Sequence, residues 1–295
     1  MLDYRGLEAL YTVLQMQSFE EAAKKLHITQ SAVSQRLRTI EQYFGEPLLI
    51  RLLPYQATEF GDYLLSHFKR IRMLEDVLSS QLTAKKNSPN ISIAISRDCL
   101  ETWFMEIIEE NDIFKKFYLE ISADDQEVTL QYLKKGLVSA CVSTANKPIP
   151  GCKAIFLGYM DYILVASPKF KEKYFSGTDH KANLINAPAV IFDLKDKLHD
   201  RYLKYFFNID EEKQSYHRIP SVKVFKQFTQ KGYAYGLIPK IDIIHELKTK
   251  QLIALYPTKI WEMPIYWHCW TIEPDIYKTF NNTIITKAQL KLRQK

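Results

Sequence analysis

Apolar residues in the first third of the chain recur every three or four positions. Leu7, Leu10, Val13 and Leu14 form one stripe from Tyr4 onward, which predicts a helix. Ser18 reads as the N-cap of a second helix over Phe19 to Leu26, with Glu21 three residues on completing a capping box. Thr29 reads as the cap of a third helix that ends near Phe44-Gly45. Its Ala32, Val33, Leu37, Ile40 and Phe44 share the 3.6-residue period. The stretch Glu46 to Thr58 is short and apolar and carries Pro47 and Pro54, so it reads as a two-stranded wing. A long helix is predicted from Thr58 to about Ala84, with Phe60, Leu64, Leu65, Phe68, Ile71, Leu74, Val77 and Leu78 on one side. That stripe is wide for a helix with no domain of its own to cover it, and the matching helix of a second subunit would be the natural cover.

After the polar, proline-bearing run Lys85 to Asn90 the period alternates between 2 and 3.6. Ile91, Ile93 and Ile95 predict a strand, Leu100 to Phe117 a helix, Tyr118 to Ala123 a strand, Val128 to Gly136 a helix and Leu137 to Ser143 a strand. The alternation continues through Tyr162–Ala166, Ala189–Phe192, Leu198–Phe207, Val222–Gly232, Tyr235–Ile238 and Ile265–Trp270, and a last helix is predicted from Asp275 to about Leu292. Alternating strands and helices of this kind imply an α/β architecture. No internal repeat or low-complexity stretch interrupts it.

Composition narrows the class. The chain has 295 residues, 46% hydrophobic and 25% charged, which suits two or three soluble globular domains. No apolar run approaches the roughly 20 residues that span a bilayer. The opening Met1-Leu2-Asp3-Tyr4-Arg5 lacks the basic region and apolar core of a signal peptide, so the expected location is the cytoplasm, with no membrane partner. Cys99, Cys141, Cys152 and Cys269 show no C-x-x-C spacing and read as reduced structural thiols. The net charge is +6, but residues 1–86 hold 11 Lys+Arg and 10 Asp+Glu. Total charge therefore says little about nucleic acid, and local placement decides.

The placement is in the third helix and the turn before it. Small Ala23 lets two helices cross closely, and the short His27-Ile28 turn sets their angle. Val33, Leu37 and Ile40 face inward, while Thr29, Gln30, Ser31, Ser34, Gln35 and Arg38 face outward. Short polar groups at a helix N-terminus can reach phosphates and base edges in the major groove of double-stranded DNA. Gln can pair with adenine, and Ser or Thr can contact either type of base. Arg36 or Arg38 is expected on phosphate, which positions without specifying. An ordinary amphipathic helix pair explains any three of these residues, but not the whole set at this spacing.

With these residues in hand, the chain resembles the LysR-type transcriptional regulators. Pro47-Leu48-Leu49-x-Arg51 matches that family's P-L-F-x-R wing, and Thr58-x-x-Gly61 its L-T-x-x-G. Where many members carry a second basic wing residue, this chain has Pro54-Tyr55-Gln56, so wing contacts to DNA would rest on Arg51 alone. Within the family, Arg51-Leu52-Leu53-Pro54-x-x-Ala57-Thr58-Glu59 resembles the ArgP/LysG branch, regulators of basic amino-acid export and metabolism. Asp98-x-Leu100-x-Thr102-Trp103 is similar to the branch's A-D-S-L-x-T-W, and Tyr266-Trp267-His268-x-Trp270 to its Y-W-x-x-W/F. Its acidic L-x-x-E-D-E stretch here reads Ser122-Ala123-Asp124-Asp125-Gln126, one carboxylate short.

The resemblance implies an α/β fold with an N-terminal all-α winged helix-turn-helix and a type 2 periplasmic-binding-protein-like two-lobed sensor domain. The implied units are a DNA-binding domain at 1–58, a linker and dimerisation helix at 59–84, a hinge at 85–90 and an effector-binding domain at 91–295. Lobe 1 would take about 91–160 and 265–295, and lobe 2 about 161–264, with crossovers near Tyr159–Tyr162 and Trp261–Ile265. It also implies a dyad DNA site, a homodimer or homotetramer, and lysine or arginine as effector. A ligand of that kind would sit between the lobes at strand ends. Asp98, Asp124 and Asp125 are candidates for its amines, and Thr102 and Ser221 for its carboxylate. Helix capping and solvated loop acids explain the same residues.

Other chemistry finds little support. Trp103 and Trp267 sit in core-like patterns. The seven histidines show no metal-ligand spacing, and no metal or cofactor is expected. No phosphate loop, nucleotide fingerprint or nucleophile motif exists, so an enzyme is not expected. A solute-binding protein would suit the second half of the chain but not the first 84 residues. A thiol redox sensor would need two nearby reactive cysteines, and none falls between Cys152 and Cys269.

Overall fold

The structure is a computed structural model, and it describes residues 2–82, 88–125, 128–193, 196–210 and 215–294. Ala84, residues 85–87 of the hinge, Gln126 and the side chain of Val77 lie outside the described residues.

Three helices open the chain, α1 (Tyr4–Met16), α2 (Phe19–Leu26) and α3 (Gln30–Phe44). Each has the cap its sequence offers. Asp3 accepts N–H groups of Arg5 and Gly6, Ser18 Oγ accepts Glu21 N–H at 3.3 Å, and Thr29 Oγ1 accepts Ala32 N–H at 3.2 Å. Only half of the capping box forms, because Glu21 turns to Lys24 at 2.7 Å. Leu7, Leu10, Val13, Ala22, Ala23, Val33, Leu37 and Ile40 close over one core. Gly6 also belongs to the close crossing, since a Cβ there would meet Ile40 Cβ at 3.0 Å and the Arg36 carbonyl at 3.2 Å.

Strands β1 (Leu49–Ile50) and β2 (Gln56–Ala57) pair antiparallel as the wing. The next helix, α4 (Glu59–Leu82), starts from Thr58, whose hydroxyl donates to Pro47 O at 2.8 Å and accepts Gly61 N–H at 3.0 Å. The α4 stripe departs from the expectation of a partner helix along its whole length. Leu64, Leu65 and Phe68 are buried in the chain's own helical core, with Phe60 packed against it. Only the later positions remain uncovered, with Leu74 at 37% and Leu78 at 55% exposure.

The rest of the chain forms one mixed sheet of two lobes. Its strands are β3 (Asn90–Ile95), β4 (Tyr118–Ala123), β5 (Ala140–Ser143), β6 (Cys152–Ala166), β7 (Ala189–Ile191), β8 (Tyr216–Arg218), β9 (Tyr235–Pro239), β10 (Ile253–Ala254) and β11 (Trp261–Trp270). The order is β4-β3-β5-β11-β6-β9-β7-β8, with β10 on β6. Within the first lobe β3 runs parallel to β4 and β5, and within the second β7 runs parallel to β8 and β9. The crossovers are not loops. Strands β6 and β11 pair antiparallel from Tyr162↔Trp261 to Cys152↔Trp270, shifting register between Ile265 and Tyr266. Tyr162 is the handover point, since it also pairs with Pro239 of β9 in the second lobe.

One helical expectation needs correction. The predicted helix Leu100 to Phe117 is broken into Arg97–Cys99, a wide turn at Leu100–Phe104, Met105–Glu110 and a 3-10 turn at Asp112–Lys116. Thr102 is the kink, at φ −107° and ψ −107°, with its hydroxyl hydrogen-bonded back to the Asp98 carbonyl. Short helices at Pro168–Tyr174 and His180–Asn186, unread in the sequence, cover the second lobe. All four cysteines are free and buried, and burial pushes the thiols of Cys99, Cys152 and Cys269 up to about 12. Thiols held protonated in this way are poor nucleophiles.

Helix α4 is joined to the first lobe as well as to the helical core. Lys69 Nζ donates to the Lys135 carbonyl at 3.0 Å, and the Arg70 guanidinium lies 4.7 Å from the centroid of the Trp270 ring. At the other junction, a Cβ on Gly61 would collide with the Leu48 carbonyl. Gly61→Ala is therefore expected to destabilise the helical unit by about 1–3 kcal/mol, as an overpacked contact against rigid backbone. Denaturant unfolding followed by helical circular dichroism checks this, and an unchanged midpoint would contradict it.

Candidate functional site

Two surfaces carry polar chemistry. The first is the outer face of α3. Thr29, Gln30, Ser31, Gln35 and Arg38 are exposed, and Ser34 and Arg36 are half-buried. Gln30 Nε2 donates to Ser34 Oγ at 3.2 Å, and the hydroxyls of Thr29 and Ser31 are 2.9 Å apart. Gln30, Ser34, Arg38 and Glu41 follow one another at helical spacing on a single face. Glu41 ties the wing to that face. It accepts Leu48 N–H at 3.0 Å with one oxygen and Arg51 at 3.1 Å with the other. Arg51 is thus held at the end of the reading face, where Coulomb attraction to phosphate can compete with a half-exposed carboxylate pair.

The second surface is a cavity between the lobes at Tyr162. Among the described residues, six carboxylates border it, Asp98, Asp124, Asp125, Asp193, Asp196 and Asp242, with the cations Arg97 and Lys226. The first three of these acids are the ones the sequence singled out. Tyr162 donates its hydroxyl to Asp98 Oδ2 at 2.8 Å, so a carboxylate of the first lobe is bonded to the crossover strand. Asp124 accepts Asp125 N–H and the Tyr132 hydroxyl, both at 2.8 Å. The backbone carbonyl of Asp125 accepts from Val128 and Thr129, which starts the helix Thr129–Lys134.

The second-lobe acids were not legible in the sequence. Asp196 is fixed by the N–H groups of Phe192 and Leu198, at 3.2 and 3.1 Å. Asp242 accepts Lys226 Nζ at 2.9 Å with Oδ1, while its buried Oδ2 has no hydrogen-bond partner among the described residues. Burial is the main reason that all three central acids are hard to ionise. It raises Asp98 to about 6, helped by repulsion from Asp196 and Asp242 and opposed by the Tyr162 hydrogen bond. It raises Asp196 and Asp242 as well. Carboxylates gathered and buried in this way are stabilised in their charged form by a neighbouring positive charge.

Thr102 and Ser221 do not border the cavity. Thr102 is buried with its hydroxyl on the Asp98 carbonyl, and Ser221 Oγ caps the helix Val222–Gln230 by accepting Val224 N–H. Their placement is one shell back. Thr102 holds the segment of Asp98, and Ser221 starts the helix that carries Lys226. Trp103 and Trp267 are both fully buried in the core, and Trp267 donates to Asn281 at 2.9 Å.

Residues 4–62 match the family described as bacterial regulatory helix-turn-helix protein, lysR family. The chain is 37% identical over 295 residues to the HTH-type transcriptional regulator ArgP of Vibrio vulnificus, covering 99% of both chains. The chain belongs to the LysR family of DNA-binding transcription regulators. An ArgP of Aeromonas salmonicida is also 37% identical, over 298 residues and 98% of its length. Among solved structures, ArgP of Mycobacterium tuberculosis superposes with a TM-score of 0.90 at 28% identity over 100% of both chains. LysG of Corynebacterium glutamicum, solved full length with its effector Arg bound, superposes with a TM-score of 0.85 at 28% identity over 99% of both chains. LysR-family regulators are not enzymes, and the chain's two polar surfaces suit binding rather than catalysis.

The raised Asp98 carboxyl has a thermodynamic consequence in this LysR-family chain. Below the ordinary carboxylate value both folded and unfolded states hold the proton. From there up to about 6 the folded state keeps a proton that the unfolded state has lost, so stability falls across that interval as pH rises and levels off once the folded carboxyl also ionises. Asp98→Asn keeps an acceptor for Tyr162 without the charge. The variant should melt higher than the parent at pH 8, by on the order of 2 kcal/mol, with the gap closing as pH falls through 6. Thermal unfolding between pH 5 and 8 checks this, and a gap independent of pH would contradict it.

Proposed function

We propose that the effector of this LysR-family regulator is a basic amino acid, lysine or arginine, held between the two lobes. The observation that carries this is the surplus of carboxylates over cations among the described residues around the cavity, with Asp98, Asp196 and Asp242 raised by burial. The relatives named ArgP and the LysG structure with bound Arg support the same reading. In it, Asp98, Asp124 and Asp125 from the first lobe and Asp196 and Asp242 from the second face the ligand's cations. Thr102 and Ser221 act by positioning.

On the DNA side, residues 1–58 form the reading unit and 59–84 the connecting and dimerisation helix. The segment 85–90 is the hinge, and 91–295 is the effector-binding unit. Thr29, Gln30, Ser31, Ser34 and Gln35 reach base edges, and Arg36, Arg38 and Arg51 hold phosphate. The uncovered end of α4, with Leu74 and Leu78 exposed, pairs with its copy across a two-fold axis. Two reading helices then meet a dyad site at about 34 Å or a multiple of it. Among the described residues no helix is long and apolar enough to cross a membrane. The cytoplasm, where the DNA lies, is the compartment that follows from this reading.

A duplex selected by the protein from a random pool tests the reading face. The Gln30→Ala/Ser34→Ala variant should bind it about 1–3 kcal/mol more weakly and with relaxed specificity. Arg38→Ala should weaken all sequences alike and lower the salt slope by about one. Footprinting should show two protected half-sites. Unchanged affinity in the double variant, or a single half-site, would contradict the assignment.

Calorimetry tests the effector. Lysine or arginine should bind at or below millimolar concentration, more tightly at pH 8 than at pH 5.5, because Asp98 must be ionised to meet a cation. Asp124→Asn/Asp125→Asn and Asp98→Ala should each weaken binding severalfold. Absence of binding by both amino acids, or normal binding by both variants, would contradict the proposed ligand or cavity.

A further inference from the structure

Resting on the reading of the cleft as a basic amino-acid site, we propose that Arg97 takes the ligand's carboxylate and so determines that the sensor selects an amino acid over the diamine with the same cationic groups. An amino acid brings an anion as well as cations into a cleft whose charged groups, among the described residues, are mostly carboxylates, and that anion needs a donor. Lys226 is already committed to Asp242 at 2.9 Å and to Glu246 at 3.6 Å. The hydroxyls of Thr102 and Ser221 are turned to backbone and do not border the cavity. Arg97 does border it, and among the described residues no carboxylate is paired with it.

Its guanidinium lies 5.0 Å from the centroid of the Phe192 ring. Arg97 belongs to the first lobe and Phe192 to the second, so the side chain reaches across the cleft. A guanidinium over a ring face uses the ring for its charge and not for its N–H groups, which leaves the N–H fork that can hold a carboxylate with two parallel hydrogen bonds. Ser96, beside it on the same cavity wall, has a hydroxyl hydrogen that can add a further donor while its oxygen accepts Cys99 N–H at 3.3 Å.

The sign of the effect separates this role from a structural one. A guanidinium in the cleft repels any purely cationic ligand and attracts one that carries a carboxylate. Removing the charge should therefore weaken an amino acid and leave the matching diamine unaffected or tighter. Loss of packing alone would weaken both.

The test is calorimetry on the full chain with L-lysine and with cadaverine, which is lysine without its carboxylate. L-arginine and agmatine serve as the parallel pair. The parent should prefer each amino acid over its decarboxylated partner by about tenfold or more. In Arg97→Gln the amino acids should bind about 10- to 100-fold more weakly, the loss of charge-assisted hydrogen bonds, with the diamines unchanged or tighter. Arg97→Lys, which keeps the charge but not the fork, should fall between, and it guards against a folding defect in the first variant. A parent that binds cadaverine as well as lysine, or an Arg97→Gln variant that keeps the parental ratio, overturns the assignment of Arg97. A parent that binds neither lysine nor arginine overturns the reading of the cleft itself.

Discussion

The pairing of β6 with β11 is the constraint on which the rest of the molecule depends. Both passages between the lobes run through it, as continuous strands hydrogen-bonded to each other from Tyr162↔Trp261 to Cys152↔Trp270. At one end of the pair, Tyr162 hands the sheet over to β9 and bonds Asp98 at the cavity wall. At the other end, Trp270 of β11 lies under Arg70 of α4. The cavity between the lobes and the connecting helix are therefore two ends of one paired element rather than separate units on a loose tether. A paired ribbon resists stretching but can twist and bend, so a change in lobe angle is the deformation it permits.

Electrostatics supplies the reason for such a change. The cleft brings carboxylates of both lobes together at a site where burial opposes their charge. Asp98 comes from the first lobe and Asp196 and Asp242 from the second, so their repulsion acts across the cleft. In the proposed reading, a cation between them would turn repulsion into attraction and favour closure. It shifts the lobes only by as much as it binds one arrangement better than the other. The buried Oδ2 of Asp242, without a hydrogen-bond partner among the described residues, and the raised carboxyl of Asp98 are the groups such a cation would stabilise.

Much of the helical unit was legible because its signals are local. Caps at Ser18 and Thr29, the 3.6-residue stripe of α3 and the Thr58-x-x-Gly61 junction each depend on a few consecutive residues, and each forms, except that Glu21 does not complete the capping box. Elsewhere tertiary contacts decided. Only Tyr162–Ala166 of β6 was visible, because residues 152–161 contain Gly158 at φ +143° and pair across a register shift, which breaks the alternation. The helix after β3 kept its apolar period, but the back-bonded hydroxyl of Thr102 breaks it. The α4 stripe looked unpartnered because nothing in its own sequence shows that the chain's helical core covers Leu64, Leu65 and Phe68. In the cleft, Asp98, Asp124 and Asp125 follow first-lobe strands and were found. Asp196 and Asp242 are far away in sequence and carry no motif, so only the fold brings them to the same cavity.

The measurement that reaches the central claim most directly is the affinity of the intact protein for its selected duplex, with and without saturating lysine or arginine. Coupling through one two-state element should change that affinity severalfold, about 1–3 kcal/mol, and linkage requires the amino acid's own affinity to change by the same factor when DNA is bound. Equal DNA affinity and an identical footprint in the presence and absence of both amino acids would contradict it.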